Sequence, residues 1–380
     1  MGYNKNKLMN LKKIAYTLSL FTLFISSCSK QDGINDKVIQ VDISTSQPLN
    51  MADIVKHISI IPLETNDSCL IKRIVSMQVR NGKIFINNDL NEVMVFDEKG
   101  KYIHSTRHLF GQGPNDYVGL SSMYIDENSH IGIYELLSPR IREYDNFLKL
   151  VHSYQMNIPD STRTAREMRS YAKLTEDIYV INDPKDIHFY SVEQKKILKT
   201  IHDEYPDLIG ITSHFRLANY NDALFYSYSY PCDTLYEVDK STLSLRPVAI
   251  YDFNEESVNV KEIPQDMPMD YYMYYLMKTD KIIVLDKFHL HDADIGYFIK
   301  EQHSYFAYKK RNGKVTVYQQ GEEYIFPVPS AIEDNKFYYA ALPHKAKTFI
   351  DKTLMDKQDI ERIENLNDDD NQVVVCYELK

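Results

Sequence analysis

His289, His291, Asp292 and Asp294 form the densest run of metal-ligand side chains in this 380-residue chain. At the two-residue period of a strand, His289 and His291 share one face, as a pair of imidazoles presented to a metal would. With Asp292 they would suit zinc or another divalent transition metal. Spacing fixes no third ligand, so the plainer reading is a polar connector between strands, with no cofactor. Gly111-Gln112-Gly113-Pro114 invites a phosphate-loop reading, but Pro114-Asn115-Asp116-Tyr117 does not open a Walker or Rossmann helix. A turn between repeats, with glycine supplying positive φ and proline a fixed φ, accounts for it better. Asp368-Asp369-Asp370 lacks the alternating ligands and glycine of a calcium loop and reads as a solvated turn.

Tyrosine is abundant, at 30 residues, and tryptophan is absent. Most tyrosines alternate along strands, where the ring is a good packing residue. Tyr271, Tyr272, Tyr274 and Tyr275 differ, because they cluster where the repeat described below is interrupted. Rings with a polar tip can stack on a sugar or hold a peptide, so these four are the expected ligand-binding residues. No serine-hydrolase elbow, zinc-protease helix or kinase motif set is present.

These side chains must be carried by short strands. Residues 74–106 alternate, are rich in β-branched and aromatic residues, and are punctuated by Asn81-Gly82 and Lys99-Gly100 turns. The unit recurs. Ile84, Ile131, Ile178 and Leu224 hold one phase, with spacings of 47, 47 and 46. Asp97, Asp145, Glu193 and Asp239 hold another, with spacings of 48, 48 and 46. Four strands at this period are the signature of a β-propeller. Two stretched units follow, over 287–320 and over 326–342 with 372–379. The last lacks a fourth strand, which must come from before residue 74, where Val38–Ile43 and His57–Leu63 both alternate. The expected fold is all-β, a six-bladed propeller of four-stranded antiparallel blades closed by an N-terminal strand. Residues 263–280 and 345–366 interrupt it as short helices on the rim of one face.

Residues 1–27 read as a targeting segment: Lys5, Lys7, Lys12 and Lys13, then an apolar run over Ile14–Ile25, too short to span a bilayer. Ile25-Ser26-Ser27-Cys28 resembles a lipobox, which implies a lipid on Cys28, a polar tether over 28–37 and the propeller over 38–380. Several acyl chains, at ~0.8 kcal/mol per buried CH₂, would hold such a protein to a membrane. Without the first 27 residues the chain has 40 basic and 54 acidic residues, a net charge of −14. That argues against nucleic acid as a partner. Cys69, Cys232 and Cys376 are odd in number and show no zinc or disulfide spacing.

Ile61-Pro62-Leu63-Glu64-Thr65, Lys83–Ile86, Val95–Asp97 with Gly100-Lys101, Gly111–Tyr117 and Asn371–Val375 together resemble the six-bladed β-propeller lipoproteins of bacteria, distantly similar to NHL-repeat propellers. The resemblance implies a cell-envelope location, on the outer membrane, and carries over no catalytic residue. The expected function is binding or scaffolding of a glycan or peptide through a propeller face. The alternative is a metal-dependent lactonase-like hydrolase or a glycan lyase built on the same ring.

Overall fold

A computed structural model describes residues 36–135, 138–157, 170–182, 186–202, 217–228, 232–258, 269–311, 313–321 and 326–380. They form six antiparallel sheets arranged as the blades of a propeller. Blade one is Ile74–Arg80, Lys83–Asn88, Val93–Asp97 and Tyr102–Ser105, from the innermost strand outward. Blade two is Ser122–Ile125, Ile131–Glu135, Arg140–Tyr144 and Leu150–Gln155. Blade three spans Ser170–Lys173 to Lys196–His202, and blade four Leu217–Tyr220 to Ser244–Asp252. Blade five runs from Ile283–His289 to Val315–Gln319. In blade six, Ala331–Glu333, Lys336–Ala341 and Val373–Leu379 are joined by Val55–Pro62.

The turns have their expected chemistry. Asn81 and Gly82 take φ of 52° and 69°, the mirror-image turn that matches strand twist. Asp97 and Asp145 each accept two backbone N–H bonds within their turns, which explains the acidic residue at that phase of the repeat. Between blades the strands present alternate apolar side chains. Tyr134, Tyr171 and Tyr179, for instance, pack between blades two and three.

The N-terminal segment does more than close the ring. β1 (Val38–Gln40) adds in parallel to the outer strand of blade four, and β2 (Gln47–Pro48) in parallel to that of blade five. β3 (Val55–Pro62) then becomes the outer strand of blade six, paired antiparallel from Val373↔Pro62 to Leu379↔Val55. Of the two alternating stretches expected to close the ring, the second does so; the first covers an open edge.

Among the described residues three α-helices interrupt the blades: α1 (Met269–Lys278), α2 (Pro343–Phe349) and α3 (Lys357–Glu364). The last two, expected on the rim of a face, pack at the perimeter instead. Ile350, Ile363 and Leu366 share an apolar core with Ile58 and Ile60 of β3, and α3 contacts β3. An amphipathic helix needs an apolar partner, and the outer strand of blade six supplies one.

Candidate binding cleft

In an antiparallel meander, blade-to-blade connections and the turns between second and third strands emerge on one face, here called the upper face. The 111–117 loop lies there, between blades one and two. Tyr117 is fully buried and donates its hydroxyl to the Asn91 carbonyl at 2.7 Å; the Tyr117 and Thr106 hydroxyls are also 2.7 Å apart. Burial pushes the Tyr117 phenol well above its ordinary range, so it stays a donor. Tyr144 of blade two donates to the Asn115 carbonyl at 2.8 Å. The two glycines serve a purpose other than the one expected. Neither Gly111 nor Gly113 has positive φ. A Cβ on them would fall 2.6 Å and 2.7 Å from Asp116 Oδ2, which accepts the Gly113 N–H at 2.8 Å. Close approach of a carboxylate selects glycine here.

Beneath the loop is a cleft of about 370 Å³, walled by Pro114, Asp116 and Val118 from the loop and by Glu135, Arg140 and Arg142 from blade two. The Arg142 Nε donates to Glu135 Oε1 at 2.7 Å and its Nη1 to the Pro114 carbonyl at 3.1 Å. Both ends of this pair are buried, and Glu135 Oε2 accepts the Val118 N–H at 3.3 Å. The pair locks the loop to blade two while its charges cancel. Arg140 is different. Its Nε and Nη2 both donate to the neutral Gln155 Oε1, at 3.2 and 3.0 Å. No described carboxylate forms an ion pair with it, so a half-buried guanidinium faces the cleft with a neutral partner, while the Asp116 carboxylate in the same wall accepts the Gly113 N–H.

Sequence reasoning singled out the loop but missed Glu135, Arg140 and Arg142. The available signal was Arg140 and Arg142 at period two, two like charges on one side of a single strand. Tyr271 and Tyr274 lie on α1 and are 69% and 62% exposed, with Lys278 Nζ 5.8 Å from the Tyr274 ring. Tyr275 is half-buried, and the Tyr272 side chain lies outside the described residues, as does Cys28. The connection from blade four to blade five carries α1, so these tyrosines share the upper face with the cleft but not its blades.

His289, His291 and Asp292 sit at the other end of blade five's innermost strand, toward the lower face. A strand of seven residues separates the two sets by about 20 Å. His289 Nδ1 is 2.6 Å from Asp294 Oδ1, and its Nε2 is 3.0 Å from Arg311 Nη2. Asp292 accepts from Asn335 Nδ2 at 2.8 Å. His289 is thus engaged with Asp294 and Arg311 and Asp292 with Asn335, while Arg311 Nε donates to the His291 carbonyl at 2.9 Å. Asp370 accepts the Asn367 N–H at 2.8 Å, the solvated turn expected of 368–370. Among the described residues no helix is long and apolar enough to cross a membrane.

Residues 36–378 match the family model described as a domain of unknown function, DUF4934. The chain belongs to that family. Two solved structures share its fold. A protein described as exported, from Bacteroides fragilis, is 16% identical over 90% of this chain and 99% of its own, with a TM-score of 0.66. A member of the DUF4221 family from Bacteroides vulgatus is 11% identical over 86% and 97%, with a TM-score of 0.52. Virginiamycin B lyase from Staphylococcus aureus is 11% identical over 74% and 80%, and its TM-score of 0.38 carries no argument about lyase chemistry. No curated protein matches the chain.

Proposed function

We propose that this DUF4934 protein is a cell-envelope binding module, anchored to the outer membrane by lipid on Cys28, that captures a peptide or glycan carrying a single carboxylate. Arg140 is the observation that carries this reading: a guanidinium facing a cleft with only an amide as partner is ready for a carboxylate. The apolar surroundings support it. Leu70, Leu90, Phe110, Val118, Tyr271 and Tyr274 are exposed on connections of the upper face, whereas Phe147 is the large exposed apolar residue on the lower turns among those described. The net charge of −14 without the targeting segment disfavours polyanions, which leaves one acidic group in an otherwise uncharged ligand. The exported relative supports an envelope location.

The test is thermal-shift and calorimetric screening of peptides with free or amidated C-termini and of oligosaccharides with or without one uronic acid. Binding that requires the carboxylate and weakens about tenfold or more in Arg140→Gln is expected. Equal binding by Arg140→Gln, or a ligand mapped to the lower face, would overturn the cleft as the site. Cys28→Ala should move the protein from the membrane fraction to the soluble one, and unchanged fractionation would remove the anchor from the proposal.

A further inference from the structure

Far from the cleft, the helical insertion meets the ring-closing strand through a second set of polar groups. His57 lies on β3, opposite Glu378 in the register. Asp356 caps α3, its Oδ1 accepting the Asp359 N–H at 2.8 Å. Asp359 is only 2% exposed, and its Oδ1 accepts from Arg362 Nη1 at 2.7 Å. One ligand atom from each of His57, Asp356 and Asp359 lies within 4.8 Å of the other two. No hydrogen bond joins the His57 ring to either carboxylate among the described residues. We infer that His57, Asp356 and Asp359 form a site for a divalent transition metal that clamps the C-terminal insertion onto the strand closing the propeller.

Three features carry the inference. First, the ligands come from elements 299 residues apart, so local turn chemistry does not explain their convergence. Second, one imidazole and two carboxylates match zinc or a similar ion, whereas calcium takes six to eight oxygens. Tetrahedral bonds of about 2.1 Å hold ligand atoms roughly 3.4 Å apart, so a bound metal would draw the three atoms together from a spacing within 4.8 Å. Three protein ligands leave a fourth position for water. Third, the outer shell is in place. Arg362 occupies one oxygen of Asp359 and orients the other, and the cap fixes Asp356. Next to the site, Ile363 and Leu366 pack in the same core as Ile58 and Ile60, so a metal would tie together surfaces already in contact.

The full chain, stripped with a chelator, should bind zinc or cobalt one-to-one by calorimetry. Cobalt should give the visible absorption of a tetrahedral site. Zinc at about one hundred times its Kd should raise the melting temperature by roughly 3–5 °C. His57→Gln, at a half-exposed position that packing does not dictate, should abolish all three responses. Asp356→Asn keeps a good helix cap and should weaken binding at least tenfold. Tight binding unchanged in His57→Gln, or no binding by the unaltered chain below about 100 µM metal, overturns the site.

Discussion

The side-chain amide of Asn371 donates to the Glu64 carbonyl at 2.7 Å, across the seam where the propeller closes. The same amide donates to the Cys69 carbonyl at 2.8 Å, and Asn371 Oδ1 accepts the Ile71 N–H at 2.7 Å. Thr65 Oγ1 accepts the Asn371 N–H at 2.9 Å. One buried side chain thus satisfies three backbone groups between β3 and the first strand of blade one. The Ile61–Thr65 and Asn371–Val375 motifs are the two sides of this seam.

Asn371→Ala strands three backbone groups in a buried place. At roughly 1–3 kcal/mol for each group left unsatisfied, with partial relief by water, the expected loss is about 3 kcal/mol. Urea denaturation measures it. An unchanged midpoint would mean that the seam adds nothing to closure.

Gly100 and Gly82 make a matched pair. Both have positive φ, 80° and 69°. A Cβ on Gly100 would sit 2.1 Å from the Pro62 carbonyl oxygen, whereas at Gly82 the nearest atom is a Glu98 carboxylate oxygen at 3.6 Å. Gly82→Ala should therefore cost only the left-handed backbone, about 1–2 kcal/mol. Gly100→Ala adds a clash with β3 and should cost upwards of about 3 kcal/mol. Equal losses in thermal denaturation would show that β3 yields at this contact.

The blades were legible because each strand announces itself locally, by alternation and by turns such as Asn81-Gly82. The choice of ring-closing strand was not, since Val38–Gln40 and β3 alternate equally well and differ only in partners about 200 and 300 residues away. Gly111 and Gly113 were legible as special but not in kind, because the carboxylate that excludes a Cβ belongs to a fold-dependent loop geometry. The cleft was least legible. Arg140 and Arg142 lie under the 111–117 loop only because blade two packs beside blade one.

Burial pushes the Cys376 thiol up to about 11 from an ordinary value near 9. Between those values the unfolded chain loses a proton that the folded chain keeps, so stability falls as pH rises through pH 9 to 11. The fall attributable to Cys376 is about 3 kcal/mol at most. Cys376→Ala should flatten this part of the stability profile, measured by urea unfolding at stepped pH. Buried Tyr117, Tyr124 and Tyr144 are raised in the same sense and should steepen the loss above pH 10 in both proteins. An identical slope between pH 9 and 11 with and without Cys376 would contradict the assignment.

The N-terminal segment separates closure from edge protection, and two truncations can tell them apart. A chain beginning at residue 50 keeps β3 and all six blades. It loses β1 and β2, whose neighbouring bonds include Lys37 O to the Ile250 N–H at 2.9 Å and Leu49 N–H to Gln319 O at 3.0 Å. The outer strands of blades four and five then present unpaired backbone to solvent, a template for pairing with other chains. This truncation should still melt cooperatively but self-associate as concentration rises. A chain beginning at residue 64 also loses β3. Val373–Leu379 is left unpaired along its length, and Ile58 and Ile60 vanish from the core beneath α3. The ring is then open, and neither a cooperative transition nor a monomer is expected. Calorimetry and sedimentation of the two products decide the matter. A monomeric, cooperatively melting chain from residue 64 would show that β3 is not what closes the propeller, and failure of both chains alike would make the β1–β2 belt part of the closure itself.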